Sequence, residues 1–351
     1  MIFSVSTSNA ALKNFTSDDR ELVLLDSDAQ DFFDDGVAMM MLATSPNIKL
    51  IGVTIPTGTC WSKDGAASAI RQLEGLGIND IPVAIGKTPN YLKRRFKNLD
   101  RELEKYGRGF DMYLGAAYYD EPADWLTAYR NKYNSDPKLS PVNENAVDFM
   151  IRTIKENPNQ VTIIAIGPQT NLAAAIKKSP EIIPIVKRVV YMAGAFFKEG
   201  NVTPAAEFNV WLDPTSAKKV VRSPFKEQIF VPLDTCEKIF MTREEFRQFK
   251  RSIKSPILKE MINQPNIEER IFDTAEKTII WDALAAAVVI DPSIITEEIT
   301  MPVDVNDIKS PSYGETLAYR KSPKGAQNAK IVLNIDQKKI SQMLKNLFES
   351  I

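Results

Sequence analysis

The chain has 351 residues, 44% of them apolar and 25% charged, the balance of a globular protein with enough length for one large α/β domain or two ordinary ones. A formal net charge of −1 gives no basic surface for nucleic acid or an anionic membrane, and no apolar run approaches the ~20 residues of a membrane span. There is no histidine, which excludes Ser–His and Cys–His hydrolase mechanisms, and the two cysteines, Cys60 and Cys236, fit neither a disulfide framework nor zinc-site spacing.

Residues 1–20 are polar and lack the basic start and apolar core of a signal peptide. They read as an N-terminal extension of a cytoplasmic protein, or of a periplasmic or secreted one if the chain is a processed form. Residues 22–25 are a short buried strand. Five aspartates follow within ten residues: Asp26, Asp28, Asp31, Asp34 and Asp35. The apolar run 37–42 then predicts a helix packed back on the strand. In an open α/β sheet, ligands bind outside the carboxyl ends of the strands, so this is where a site belongs. Crowded carboxylates raise each other's pKa, and a hard cation such as calcium or magnesium relieves them. The alternative is a solvated acidic loop with one Asp capping the helix.

Residues 49–54 and 81–85 read as strands, and 63–76 as a helix with Ala67, Ile70 and Leu73 on one face. Residues 87–140 break the pattern. They are charged and aromatic (Tyr91, Phe96, Tyr106, Phe110, Tyr113, Tyr118, Tyr119, Trp125, Tyr129, Tyr133) and read as a helical insertion, a lid over a pocket, or a surface excursion. Alternation then resumes. Helices are expected at 145–156, 171–178, 213–221 and 283–290, with strands at 161–166, 189–192 and 229–233. A charged outer helix pair covers 242–261. A strand at 331–335 and an amphipathic helix at 338–347 close the chain. The sum predicts a single three-layer α/β/α domain over 21–351 with a mostly parallel, Rossmann-like sheet.

Three further stretches hold chemistry. Asn201, Glu207 and Asn209 sit in a loop after a strand and offer amide and carboxylate groups suited to a polyhydroxylated ligand, or to loop and cap contacts. Trp281-Asp282 precedes the buried helix, where the Asp caps it or supplies a distant metal ligand. Ile166-Gly167-Pro168 ends a strand in a turn that leaves carbonyls free.

Together these stretches resemble the inosine-uridine-preferring nucleoside N-ribohydrolases. Asp26-Ser-Asp28 followed by Asp34-Asp35 is similar to the family's N-terminal aspartate signature, with five residues in the gap where the best-known members have three. This resembles a divergent branch that carries an additional Asp, here Asp31. Ile166-Gly-Pro-Gln-Thr-Asn171, Val190-Tyr-Met-Ala-Gly194, the 201–214 loop and Trp281-Asp282 resemble four further segments in the same order.

The resemblance implies a nucleoside hydrolase fold and a Ca2+-dependent hydrolysis of the N-glycosidic bond of ribonucleosides, purines above all, with metal-bound water as nucleophile. Asp28, Asp35, Asp282 and the carbonyl of Ile166 would bind the Ca2+, and Asp28 would also be the general base. Asp34, Asn201, Glu207 and Asn209 would hold the ribose, and Asp26 would support the ligands from behind. The family's histidine before the C-terminal Asp is replaced by Trp281, whose indole would stack on a purine, with Trp61 and aromatics of 106–129 forming the other side of the sandwich. Gly58-Thr59 replaces the family's Gly-Asn. The small-molecule substrate is a nucleoside, and a homodimer or homotetramer is implied. Two alternatives stay open: a haloacid-dehalogenase-like phosphatase, for which Gln30 is the wrong residue, and a catalytically silent nucleoside or sugar binder.

Overall fold

The computed structural model of the chain describes residues 19–30, 32, 34–107 and 114–351. Most of residues 1–20, with Asp31, Phe110 and Tyr113, lie outside these. The strands are β1 (Glu21–Asp26), β2 (Ile48–Ile55), β3 (Val83–Ile85), β4 (Val161–Ala165), β5 (Arg188–Tyr191), β6 (Gln228–Phe230), β7 (Phe240–Thr242), β8 (Lys277–Ile279), β9 (Ile295–Val305), β10 (Thr316–Ala318) and β11 (Gln327–Ile335). Nine of them form one sheet in the order β10-β9-β11-β6-β5-β4-β1-β2-β3, and β7 and β8 pair as a separate ribbon.

The β3-β2-β1-β4-β5-β6 part is parallel throughout, and β11 joins β6 in parallel. Its strands are buried on both faces. Val23 and Leu25 of β1 enter one core while Leu24 enters the other, as the two-residue side-chain period requires. One core is covered by the helices Asp35–Thr44, Ser62–Leu76, Asp282–Ile290 and Gln337–Ser350. The other is covered by Ala146–Glu156, Thr170–Lys178 and Pro214–Val221. The three layers and the mostly parallel sheet agree with the sequence expectation.

The antiparallel end of the sheet does not follow from the pattern. β9 pairs antiparallel with β11 and β10, and five of its residues, 296–300, are exposed. Glu297 and Glu298, side by side, break the pattern in its first half, while Ile299, Met301, Val303 and Val305 alternate in its second half, a strand signal the sequence expectation did not use. The charged segment 242–261 forms the helices Arg243–Ser252 and Pro256–Ile262, which bury Phe246, Phe249, Leu258, Met261 and Ile262 rather than lying wholly outside.

Residues 87–140 contain the helices Asn90–Phe96, Leu99–Tyr106 and Trp125–Tyr133 and a 3-10 turn at Gly115–Tyr118. Leu99, Leu103 and Leu114 pack on Val202, Phe208 and Trp211 of the 201–212 segment. Arg95, itself buried, donates to the carbonyls of Trp211 (2.7 Å) and Leu212 (2.6 Å) and pairs with Glu102 (2.7 Å). A cation at the carbonyl end of a helix suits its dipole. Among the described residues, no helix is long and apolar enough to cross a membrane.

Candidate active site

The doubly wound strand order reverses between β1 and β4, and side chains from both strands' carboxyl ends meet there. Asp26, the last residue of β1, is fully buried. Its Oδ1 accepts from Thr54 Oγ1 (2.7 Å) and Asn171 Nδ2 (2.9 Å), while Oδ2 has no hydrogen-bond partner among the described residues. Burial pushes its carboxyl up to about 7.

Two residues on, Asp28 is held by the backbone N–H of Thr59, which donates to Oδ2 at 2.5 Å. Burial outweighs that bond and raises Asp28 to about 6. Glycines on two sides permit this close packing. A Cβ at Gly58 would overlap Asp28 Oδ2, and one at Gly167 would stand 2.7 Å from Oδ1. Gly58→Ala is therefore expected to displace the carboxylate and lower kcat by about 100-fold, since a shift near 1 Å suffices for that. Steady-state kinetics alongside a thermal melt checks whether the loss is local.

Asp34 begins the next helix with φ 65° and ψ −100°, a strained conformation for a non-glycine residue that costs on the order of 1–3 kcal/mol. Long-range bonds hold it there. Its Oδ1 accepts from the backbone N–H groups of Trp281 (3.2 Å) and Asp282 (2.8 Å). An aspartate from the first βα turn thus caps a helix almost 250 residues later, and a carboxylate at that helix's amino end suits its dipole. This brings Asp282 beside Asp35, whose Oδ1 accepts from Ser27 Oγ (2.7 Å). Burial and then the neighbouring carboxylates raise Asp35 and Asp282 well above the usual range, and Asp34 rises to about 7.

The opposite wall comes from the loop after β5. Glu207 Oε2 accepts from the N–H of Gly194 (2.9 Å) and Oε1 from that of Asn209 (2.7 Å), and burial pushes it up to about 7. Asn209 Nδ2 donates to the carbonyls of Ile166 (2.9 Å) and Met192 (3.0 Å). Asn201 Oδ1 accepts from Phe208 N–H (2.9 Å).

One cavity of about 200 Å3 is lined by Asp28, Asp34, Asp35, Thr59, Ile166, Met192, Asn201, Val202, Glu207, Phe208, Asn209, Trp281 and Asp282. The structure so brings together Asp28, Asp34, Asp35, Ile166, Asn201, Glu207, Asn209, Trp281 and Asp282. Trp61 is not among the lining residues and corrects the expected sandwich. Its indole is buried against Phe96 (5.7 Å, edge-on), and its Nε1 donates to the carbonyl of Tyr119 (2.8 Å). It begins the Ser62–Leu76 helix and anchors the insertion instead. Thr59, which stands where the family has Asn, also lines the cavity, as do Met192, Val202 and Phe208, to which the sequence assigned no role. Met192 and Phe208 had a readable signal, since one follows a strand end and the other lies between Glu207 and Asn209.

The donor set fits a hard divalent ion. It is all oxygen, from buried carboxylates and the Ile166 carbonyl, and no Lys or Arg lines the cavity to neutralise it. Among the described residues no three such side chains already stand as a closed metal cage, so the shell would draw together around the ion.

Residues 23–342 match the family model of the inosine-uridine preferring nucleoside hydrolases. The chain belongs to that family. It is 30% identical over 233 residues to a probable uridine nucleosidase 1 of Oryza sativa subsp. japonica, covering 66% of this chain and 64% of that one. It is 33% identical over 217 residues to the pyrimidine-specific ribonucleoside hydrolase RihA of Citrobacter koseri, covering 62% of each. The match thus spans just under two-thirds of these curated relatives' length. Among solved structures, a plant nucleoside hydrolase, PpNRh1, superimposes with TM-score 0.76 at 23% identity, over 94% of this chain and 99% of that one. A purine-preferring ribonucleoside hydrolase from Gardnerella vaginalis gives 0.70 at 22%, over 94% and 100%. These two likenesses establish the fold. Family membership leaves the phosphatase alternative without support.

Proposed function

We propose that the protein hydrolyses the N-glycosidic bond of ribonucleosides, purines among them, to ribose and free base in a Ca2+-dependent reaction. The convergence of Asp28, Asp34, Asp35 and Asp282 on one cavity with Asn201, Glu207 and Asn209 supports this reading above all. Asp28, Asp35, Asp282 and the Ile166 carbonyl would hold the Ca2+. When bound, the ion supplies positive charge that orients and polarises the water and sugar hydroxyls.

Asp28, fixed by Thr59 and hemmed by Gly58 and Gly167, takes a proton from the attacking water. Glu207, Asn201 and Asn209 accept and donate to ribose hydroxyls, and the surrounding carboxylates stabilise the oxocarbenium-like charge that develops on the sugar. Asp26, held by the Thr54 and Asn171 side chains, stands behind the group. Trp281 and Phe208 give the base an aromatic wall. With no histidine in the chain, no imidazolium acid assists the base, and stacking on Trp281 is the activation carried over from the resemblance.

A pyrimidine preference is the second reading, favoured by relatives named uridine nucleosidase and pyrimidine-specific hydrolase. One assay decides: inosine, guanosine, uridine and p-nitrophenyl riboside are incubated with the chain, with Ca2+ or chelator, and reducing sugar is measured. Ca2+-dependent ribose release is expected. Nucleoside binding without release would make the chain a silent binder. Equal or higher kcat/KM on uridine than on inosine would hand the preference to pyrimidines. Trp281→Ala should lower kcat/KM on inosine up to about tenfold, the value of a roughly 0.5–1.5 kcal/mol stack. It should leave p-nitrophenyl riboside, whose leaving group needs no activation, nearly unchanged.

A further inference from the structure

We propose that Lys132, outside the cavity wall, is a positioning residue for the carboxylate loop. Its ammonium grips the Gln30 carbonyl and so sets how Asp28 stands relative to Asp34 and Asp35. The inference rests on the calcium reading above.

The stretch from Asp28 to Asp35 carries three carboxylates, Asp28, Asp34 and Asp35, from the end of β1 into one cavity, and repulsion works against that arrangement. An irregular loop also needs partners for its backbone groups. The contacts that hold it come from elsewhere. Thr59 Oγ1 (2.8 Å) and Cys60 Sγ (3.2 Å) donate to the Asp28 carbonyl. Phe32 is buried in the core, 6.2 Å from the ring of Phe348 in the closing helix. Between these two anchors the Gln30 carbonyl accepts from two donors. One is Ser68 Oγ (2.8 Å) of the Ser62–Leu76 helix, and the other is Lys132 Nζ of the Trp125–Tyr133 helix. The ammonium also donates to Ser68 Oγ at 3.0 Å and lies 5.7 Å from the Tyr133 ring.

The Trp125–Tyr133 helix is fastened by other residues. Tyr129 is fully buried and donates to Glu74 (2.6 Å), Arg71 Nη1 donates to the Tyr129 hydroxyl (3.2 Å), and Asp124 caps its start. The helix therefore keeps anchors other than Lys132. The long stem of Lys132 brings a charged donor to a carbonyl midway between the two groups of aspartates, and charge-assisted bonds are the strong ones. Outer contacts that orient metal ligands typically change metal affinity by about 10–100-fold.

The test is calorimetric titration of chelator-stripped protein with Ca2+ alone, alongside steady-state kinetics and a melt. Lys132→Met is expected to weaken Ca2+ binding at least about tenfold and to lower kcat, with KM for the nucleoside within about threefold and the metal-free melt lowered by only a few degrees. Lys132→Arg, which keeps a charged donor, should restore most of the affinity. Ser68→Ala removes the second donor to the same carbonyl and should weaken binding severalfold; it carries the test if Lys132→Met does not fold. Wild-type affinity in Lys132→Met, or in Ser68→Ala where that variant stands in, overturns the positioning role. Wild-type protein that binds no Ca2+ overturns the calcium reading, and this inference with it.

Discussion

Asp28→Ala is expected to abolish turnover, by at least about 1,000-fold in kcat, since general-base loss alone is worth ~100–10,000-fold and the same carboxylate is a metal ligand in our reading. Asp28→Asn is the sharper variant. It keeps the size and can still accept the Thr59 N–H, so the loop should keep its course. It also removes one charge from a group in which Asp28 raises Asp34, Asp35 and Asp282. The metal-free variant should therefore melt at or above the wild-type temperature while its activity is lost. A stable, fully active Asp28→Asn would end Asp28's assignment as base. The geometry that makes the residue useful is thus one the fold holds against its own electrostatics.

Removing the metal should have an effect of comparable size. A chelator is expected to stop ribose release, and Ca2+ in excess to restore it. The melt should move with the ion: at a free Ca2+ concentration of about 100 Kd, the linkage gain is about 2.7 kcal/mol. For a chain of this length that corresponds to a rise of about 4 °C. The gain comes from relieving repulsion among buried carboxylates that no cavity-lining Lys or Arg neutralises. Magnesium, which demands a tighter octahedral shell, should restore less than calcium at equal concentration. A melt and an activity indifferent to both chelator and Ca2+ would refute a metal site here.

The legible parts of the molecule were those encoded locally. β1, β2, β4 and β5 are apolar runs ended by turn residues, and a strand buried on both faces has that pattern. Asp26, Asp28, Asp34 and Asp35 declared themselves by density alone, because so many charges next to a buried strand need a reason. The start of β9 stayed hidden because Thr296-Glu-Glu298 holds no apolar residue and only pairing with β11 makes it strand, whereas the alternation of Ile299, Met301, Val303 and Val305 was a signal that could have been read. Trp61 misled because its type suits a stacking wall, while its direction is set by the Tyr119 carbonyl 58 residues away.

The sequence by itself determined the layered parallel core, the family, and which side chains are chemically able to serve: the carboxylates, the amides, Trp281, and the absence of histidine. Only the tertiary structure decided which of them meet. Asp34 reaching Trp281 and Asp282, Lys132 reaching Gln30, and Trp61 turning from the cavity are contacts between segments 58 to 248 residues apart. The physical reason is that hydrophobic periodicity reports burial within one segment, whereas a side chain's direction follows from the packing of elements the chain brings together only when it folds.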